Sequence, residues 1–208
     1  DCGVIDFGEN VCVLSSDPIT GAVNEIGRLA VHVSCNDVAS CGVGPLGLII
    51  TILAPAGTTE KDLDFVMNQI CDAAYSINVD IIGGHTEITS AVNRFVIIST
   101  AVGKMLKDKL VTTSGAQPGD YIVMTKSAGL EGTAIIAADK EKELIEALGC
   151  EVVNEAKSFI NHISVVKDGT IAGNFGVNSM HDATEGGILG AVWEVAEASG
   201  VGAVIDKK

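Results

Sequence analysis

The 208 residues are 47% apolar but only 4% aromatic, and their formal net charge is −14. That length suits one large or two modest domains around an aliphatic core, and the acidity argues against nucleic-acid or anionic-membrane surfaces, which need a basic footprint. No apolar run reaches the roughly 18 residues expected of a membrane span, and six cysteines without C-x-x-C spacing read as reduced thiols of a cytosolic protein, not as a disulfide frame or zinc site.

Residues 3–7 and 11–16 read as two short strands joined by a turn at Gly8-Glu-Asn10. The second delivers Ser15-Ser16-Asp17-Pro18, a carboxylate at a strand end followed by a turn-forming proline. A helix begins near Asn24, with Ile26, Leu29, Ala30 and Val33 on its apolar stripe. The same period puts Asp37 on that inward face. A buried carboxylate is costly unless it is paired, hydrogen-bonded or metal-bound; Asp37 is therefore either a cap on nearby backbone or a cation ligand. Gly42, Gly44 and Pro45 stop the helix, and Leu46–Leu53 follows as a strand apolar enough for burial on both faces.

Thr59 caps the next helix, whose stripe of Leu63, Val66, Met67, Ile70, Ala74 and Ile77 is core packing. Val79–Ile82 reads as a strand ending in Gly83-Gly84-His85-Thr86-Glu87, where glycines let backbone N–H groups approach a ligand. Phe95–Val102 closes a first unit of order β-β-α-β-α-β-β. Ser114-Gly-Ala-Gln-Pro-Gly-Asp120 marks a boundary, giving domains 1–113 and 114–208. Beyond it come a strand at Tyr121–Thr125 and helices over 129–139, 140–148 and 151–163. Met180-His-Asp-Ala-Thr-Glu-Gly-Gly187 then precedes a helix capped by Thr184, with Gly186 and Gly187 leaving its N–H groups open to an anion. Both ends of the sequence fall in strand-like runs, as in a piece of a longer protein.

Asp1, Asp17, Asp37, Glu87 and Asp182 each sit at an element end beside small residues, several at strand carboxyl ends where α/β proteins bind ligands. Clustered carboxylates need cations between them, and Mg²⁺ takes one or two carboxylates plus substrate phosphates.

In their order, D-C-G-V-I at Asp1, S-S-D at Asp17, N-D-V-A-S-C-G-V-G-P from Asn36, G-G-H-T-E at Gly83, S-G-A-Q-P-G-D at Ser114 and M-H-D-A-T-E-G-G at Met180 carry a resemblance. The chain resembles the aminoimidazole ribonucleotide synthase superfamily, which includes thiamine-monophosphate kinase, selenophosphate synthetase and the HypE hydrogenase-maturation protein. The resemblance implies an α/β (α+β), PurM-like fold, with an N-terminal domain that dimerises through its sheet and a second domain closing over ATP. It also implies Mg²⁺ at Asp1, Asp17, Asp37 and Asp182. The implied nucleotide contacts are Asp17, Asn36, Asp37, Gly83, Gly84, His85, Thr86, Glu87, Thr184, Gly186 and Gly187. The M-H-D-A-T-E-G-G segment is most similar to HypE, which has arginine at the position of Glu185. The implied activity is ATP-driven phosphorylation or dehydration of a small-molecule or protein acceptor. The other activities of the superfamily, or a nucleotide-binding dimer without turnover, stand as alternatives. Relatives mostly carry Asp or Glu where His85 stands.

Overall fold

Val11, Val13 and Ser15 alternate with Asn10, Cys12 and Leu14, and a period of two gives a strand one distinct face. In the computed structural model, which describes residues 2–22 and 24–206, this segment is β2 (Asn10–Ile19), and Val11, Val13 and Ser15 are buried. It pairs antiparallel with β1 (Gly3–Asp6), and the Phe7 N–H donates to the Asn10 carbonyl to close the turn. The expected turn at Asp17-Pro18 does not form, because β2 runs through both residues. β1 stops opposite Leu14, so β2 has a free edge there, where a proline without an N–H is tolerated.

Helix α1 (Ile26–Ser40) lies over β2 and over β5 (Val96–Leu106). Its neighbour α2 (Glu60–Ser76) starts with a reciprocal capping box between Thr59 and Asp62. Where the two helices cross, a Cβ on Gly27 would lie 2.6 Å from the Val66 carbonyl oxygen, so glycine permits the approach. Gln69 completes the junction. It accepts from the Gly27 N–H at 2.9 Å and donates to the Asn24 carbonyl at 2.6 Å.

With β3 (Pro45–Pro55) and β4 (Asp80–Thr89), the strands form one sheet in the order β1-β2-β5-β3-β4. Only β3 and β4 run parallel, joined through α2. Two sequence expectations change here. Leu46–Leu53 is not buried on both faces: Leu48, Ile50 and Ile52 are covered by the helices, whereas Leu46 and Ile49 are exposed. Nor do Gly83 and Gly84 end a strand, since β4 continues through Gly83–Glu87 as the sheet's outer edge. A Cβ on Gly84 would lie 2.0 Å from the Ile50 carbonyl oxygen, so this glycine serves close strand contact beside a bulge at Leu48/Ile49.

The carboxyl-terminal part is helical: α3 (Leu130–Asp139), α4 (Glu141–Leu148), α5 (Cys150–Ser158) with a 3₁₀ turn at Phe159–His162, α6 (Val166–Phe175) and α7 (Gly187–Ser199). The expected strand at Tyr121–Thr125 is absent. That stretch has no strand partner among the described residues, and Tyr121 is 95% exposed. The sequence reading passed over α6, whose glycines broke any apolar stripe. Those glycines set its packing: Cβ atoms on Gly169 and Gly173 would lie 2.2 Å from the Ala39 carbonyl oxygen and 2.6 Å from the Gly42 Cα. Leu29 of α1 joins Ala134, Ile160 and Ile163 in a second small core between the sheet unit and these helices. Among the described residues no helix is long and apolar enough to cross a membrane.

Candidate functional site

β2 places Ser15 and Asp17 two residues apart, hence on one face of the sheet, directly under the carboxyl half of α1. Asp37 descends from α1 onto the same point. The Ser15 hydroxyl lies 2.5 Å from Asp37 Oδ2 and 3.0 Å from Asp17 Oδ2, so one hydroxyl bridges two carboxylates. Asp37 is 4% exposed. Burial pushes its carboxyl up to about 7; the Ser15 hydroxyl works against this, while the charges of Asp182 and Asp17 add to it. Among the described residues no basic side chain pairs with Asp17 or Asp37.

Asp182 comes from the loop before α7 and is buried, and its charge reaches Asp37, Cys41 and Glu131. The loop is held from several sides. Ser179 Oγ donates to the Thr113 carbonyl at 2.8 Å, and Asn178 donates to the Asp120 carboxylate at 3.0 Å. A Cβ on Gly115 would lie 1.8 Å from the Asn178 carbonyl oxygen, so Ser114–Asp120 packs directly on this loop. His181 faces two acceptors: Nδ1 lies 2.6 Å from the Asp182 carbonyl oxygen, and Nε2 meets the Glu194 carboxylate on α7. The Asp182 carboxylate, its Oδ1 3.6 Å from Nδ1, raises His181 to about 9 against the opposing effect of burial, and the Asp182 carbonyl and Glu194 add to the rise. Glu131, in the first turn of α3, is raised by burial and by Asp182.

Sequence reasoning missed four of these residues. Ser15 was legible from its two-residue spacing to Asp17. Nothing local marked Glu131, or the pairing of His181 with Glu194, because those contacts are made by the fold.

The other sequence candidates are placed differently. Asp1 lies outside the described residues. Asn36 holds the carboxyl-terminal helices to α1: its amide donates to the Ile163 carbonyl at 3.0 Å and accepts from the Val165 N–H at 2.8 Å. Thr184 does not cap α7 with its side chain. Gly186 is the cap residue, at φ +79°, and the Gly187 N–H donates to the Thr184 carbonyl. Thr184, Gly186 and Gly187 are exposed. Gly83, Gly84, His85, Thr86 and Glu87 lie away from the acids. Asp17 pairs with Ser99, Ser99 with Ile50 and Ile50 with Gly84, which makes three strand spacings, or about 14 Å. His85 Nε2 lies 3.7 Å from Glu87 Oε2.

Among the described residues no three metal-type side chains converge closely enough to enclose an ion. The donor set suits Mg²⁺ nonetheless, since that ion keeps waters and phosphate oxygens alongside one or two carboxylates. A carboxylate that burial and its neighbours hold near neutrality is one that a cation would relieve.

The chain is similar to several known proteins. The relatives include a candidate hydrogenase expression/formation protein of Methanocaldococcus jannaschii, 29% identical over 99% of this chain and 60% of that protein. Carbamoyl dehydratase HypE of Rhizobium leguminosarum is 31% identical over 88% of this chain and 51% of its own. The chain thus spans between half and two thirds of the length of these relatives. Two crystal structures share the fold. One is the HypE–HypF complex (TM-score 0.76, 22% identity, 95% of this chain, 64% of that chain), the other HypE in complex with ATP (TM-score 0.59, 22% identity, 89% and 72%). The sequence pattern of the AIR synthase related protein N-terminal domain matches residues 1–105, and that of its C-terminal domain matches 117–208. The two patterns take in the strand that presents Asp17, the helix that presents Asp37 and the loop that presents Asp182, and the chain belongs to the AIR synthase related family.

Proposed function

We propose that this chain is the nucleotide-binding portion of a HypE-like enzyme, one that uses ATP and Mg²⁺ to activate a small-molecule or protein-borne acceptor by phosphorylation and dehydration. The observation that carries the reading is the junction of Asp17 and Asp37 on Ser15, with Asp182 opposite and, among the described residues, no basic side chain paired with Asp17 or Asp37. Asp17 and Asp37 would hold the metal, with Asp182 completing the acidic wall. Mg²⁺ supplies, when bound, the positive charge that phosphate oxygens require. The residues of the chain then do three things. Ser15 fixes the spacing of the two carboxylates. His181 and Glu194 hold the Asp182 loop against α7. The exposed start of α7 presents backbone dipoles to a phosphate, which suits a protein of net charge −14. The names of the relatives support the reading, since they include a carbamoyl dehydratase and a protein solved with ATP.

The reading includes a homodimer. Within one chain Gly83–Glu87 is remote from the acids, and a second copy packed across the open sheet face would bring its own edge strand towards them.

Calorimetry with Mg²⁺ and a non-hydrolysable ATP analogue tests the site. Wild-type protein should bind. Asp37→Asn should lose roughly 10- to 150-fold in affinity, as expected for one charge-assisted contact of about 1.5–3 kcal/mol, and should keep its fold. Equal affinity in the two proteins would overturn the metal site and leave Asp37 as a structural acid.

A further inference from the structure

Ser99 stands on β5 opposite Asp17 of β2, and the two share the face that α1 covers. Same-face partners on neighbouring strands hold their Cβ atoms about 4.5–5.5 Å apart, within reach of one bridging water. Ser99 is fully buried and Asp17 half-buried, while Ala101, the next inward residue of β5, pairs with Ser15. The Ser99 side chain therefore lies beside the junction of Asp17, Ser15 and Asp37, on its core side. α1 closes over it: Ser34, one turn before Asp37, donates its hydroxyl to the Ser99 carbonyl at 2.9 Å. That bond spends the Ser34 proton, and Ser15 has a single proton for two carboxylates. Ser99 Oγ has no hydrogen-bond partner, and among the described residues only one other buried side-chain polar atom lacks one. An inward serine between the buried Ile97 and Ala101 is costlier than alanine unless a polar partner arrives.

We propose that Ser99 is a positioning residue of the acidic site: its hydroxyl bonds the water shell of the cation that Asp17 and Asp37 bind, and fixes that shell from the core side. This role rests on the reading of Asp17 and Asp37 as metal ligands. Mg²⁺ dehydrates reluctantly and keeps several waters beside one or two carboxylates. A hydroxyl suits those waters, because it donates or accepts by turning its proton. It also adds no charge to a site already crowded with acids. Partners one step removed from a metal orient what binds it directly and strengthen its hold. With Ser99 included, the site draws on three elements: β2 for Ser15 and Asp17, α1 for Asp37, and β5 for the uncommitted hydroxyl.

Ser99→Ala tests the role, because the metal-free and metal-bound proteins should answer differently. In chelator the variant should melt at or above the wild-type temperature, since it loses only an unpartnered hydroxyl. Calorimetry with Mg²⁺ in the presence of a non-hydrolysable ATP analogue should show its Mg²⁺ affinity lowered by about 10- to 100-fold, as for other outer partners of a metal. A serine that serves packing alone would give the reverse pattern, a lower melting temperature with unchanged metal affinity. Either half of that pattern overturns the proposal. A loss of stability in chelator would mean that the hydroxyl is already satisfied within the protein, and wild-type Mg²⁺ affinity would mean that it plays no part in the site. In both cases, binding by the wild type and its loss in Asp37→Asn would leave the metal reading standing. If the wild-type protein binds no Mg²⁺ with the analogue, the metal reading and the role of Ser99 fall together.

Discussion

Asp37 is 4% exposed and shares the Ser15 hydroxyl with Asp17, so its charge is disfavoured wherever no cation is bound. Its carboxyl titrates at about 7 against an ordinary value of 3.8. A raised acid binds its proton more tightly in the folded chain. Its contribution to stability is therefore complete below 3.8 and lost as the pH rises through about 7. A metal ion competes for the same oxygen, so Mg²⁺ affinity should rise as the pH passes upward through 7. His181 acts in a different window. Its folded value of about 9 lies above the ordinary 6.5, so its contribution is complete below 6.5 and lost as the pH rises through about 9. We expect the difference in Tm between wild type and His181→Gln to be constant below pH 6 and to shrink between 6.5 and 9, as measured by thermal denaturation across that range. A difference independent of pH would mean that the imidazole acts only by packing. Both residues stood out in the sequence as members of motifs. Their protonation behaviour did not, because it comes from Ser15, Asp182 and Glu194, which the fold brings in.

Among the elements, those with a clean period were legible and those built on small residues were not. α2 follows from its Thr59–Asp62 cap and a stripe in which Val66, Ile70 and Ala74 are buried. β4 was cut short because Gly83-Gly84 reads locally as a turn, whereas the pair serves a bulged parallel ladder against β3. α6 left no periodic signal, since its contact with α1 is made through Gly169 and Gly173. That contact has a measurable consequence. A valine at 173 would set a Cβ 2.6 Å from Gly42 Cα and 2.8 Å from its carbonyl oxygen, backbone atoms that cannot move aside easily. We expect Gly173→Val to destabilise by about 1–3 kcal/mol, the range for overpacking a close contact. Gly132 lies inside α3 with nothing within 4 Å of a new Cβ. Gly132→Ala should be stabilising by roughly 0.5–1 kcal/mol. Denaturant melts of the two variants make the comparison, and equal effects would mean that α6 does not rely on this crossing.

At the scale of the whole molecule, the unresolved demand is the second face of the sheet. α1 and α2 cover one side, where Val11, Val13, Leu48, Ile50, Ile52 and Ile97 form the core. The ladder puts Leu14, Val102, Ile98, Ile49 and Leu53 on the other side, where no described helix covers them, and Ile5 and Ile49 remain 49% and 42% exposed. The sequence announced the apolar character of these strands but not which face would lack a cover, because that depends on where two helices settle over five strands. Monomers rarely expose contiguous apolar patches larger than a few hundred Å². A two-fold axis would cover this face with the same residues of a second copy. The pairing we propose should bury at least the roughly 1,600 Å² of a standard stable interface, with Ile49 well inside it. Light scattering at micromolar concentration should therefore give a dimer for the wild type and a folded monomer for Ile49→Lys, whose ammonium would be buried unpaired between the sheets. The monomer should also bind the Mg²⁺–nucleotide pair more weakly, because the Gly83–Glu87 strand of the second copy is then missing from the site. A wild-type monomer would refute the pairing, and a monomeric variant with undiminished nucleotide affinity would confine the site to a single chain.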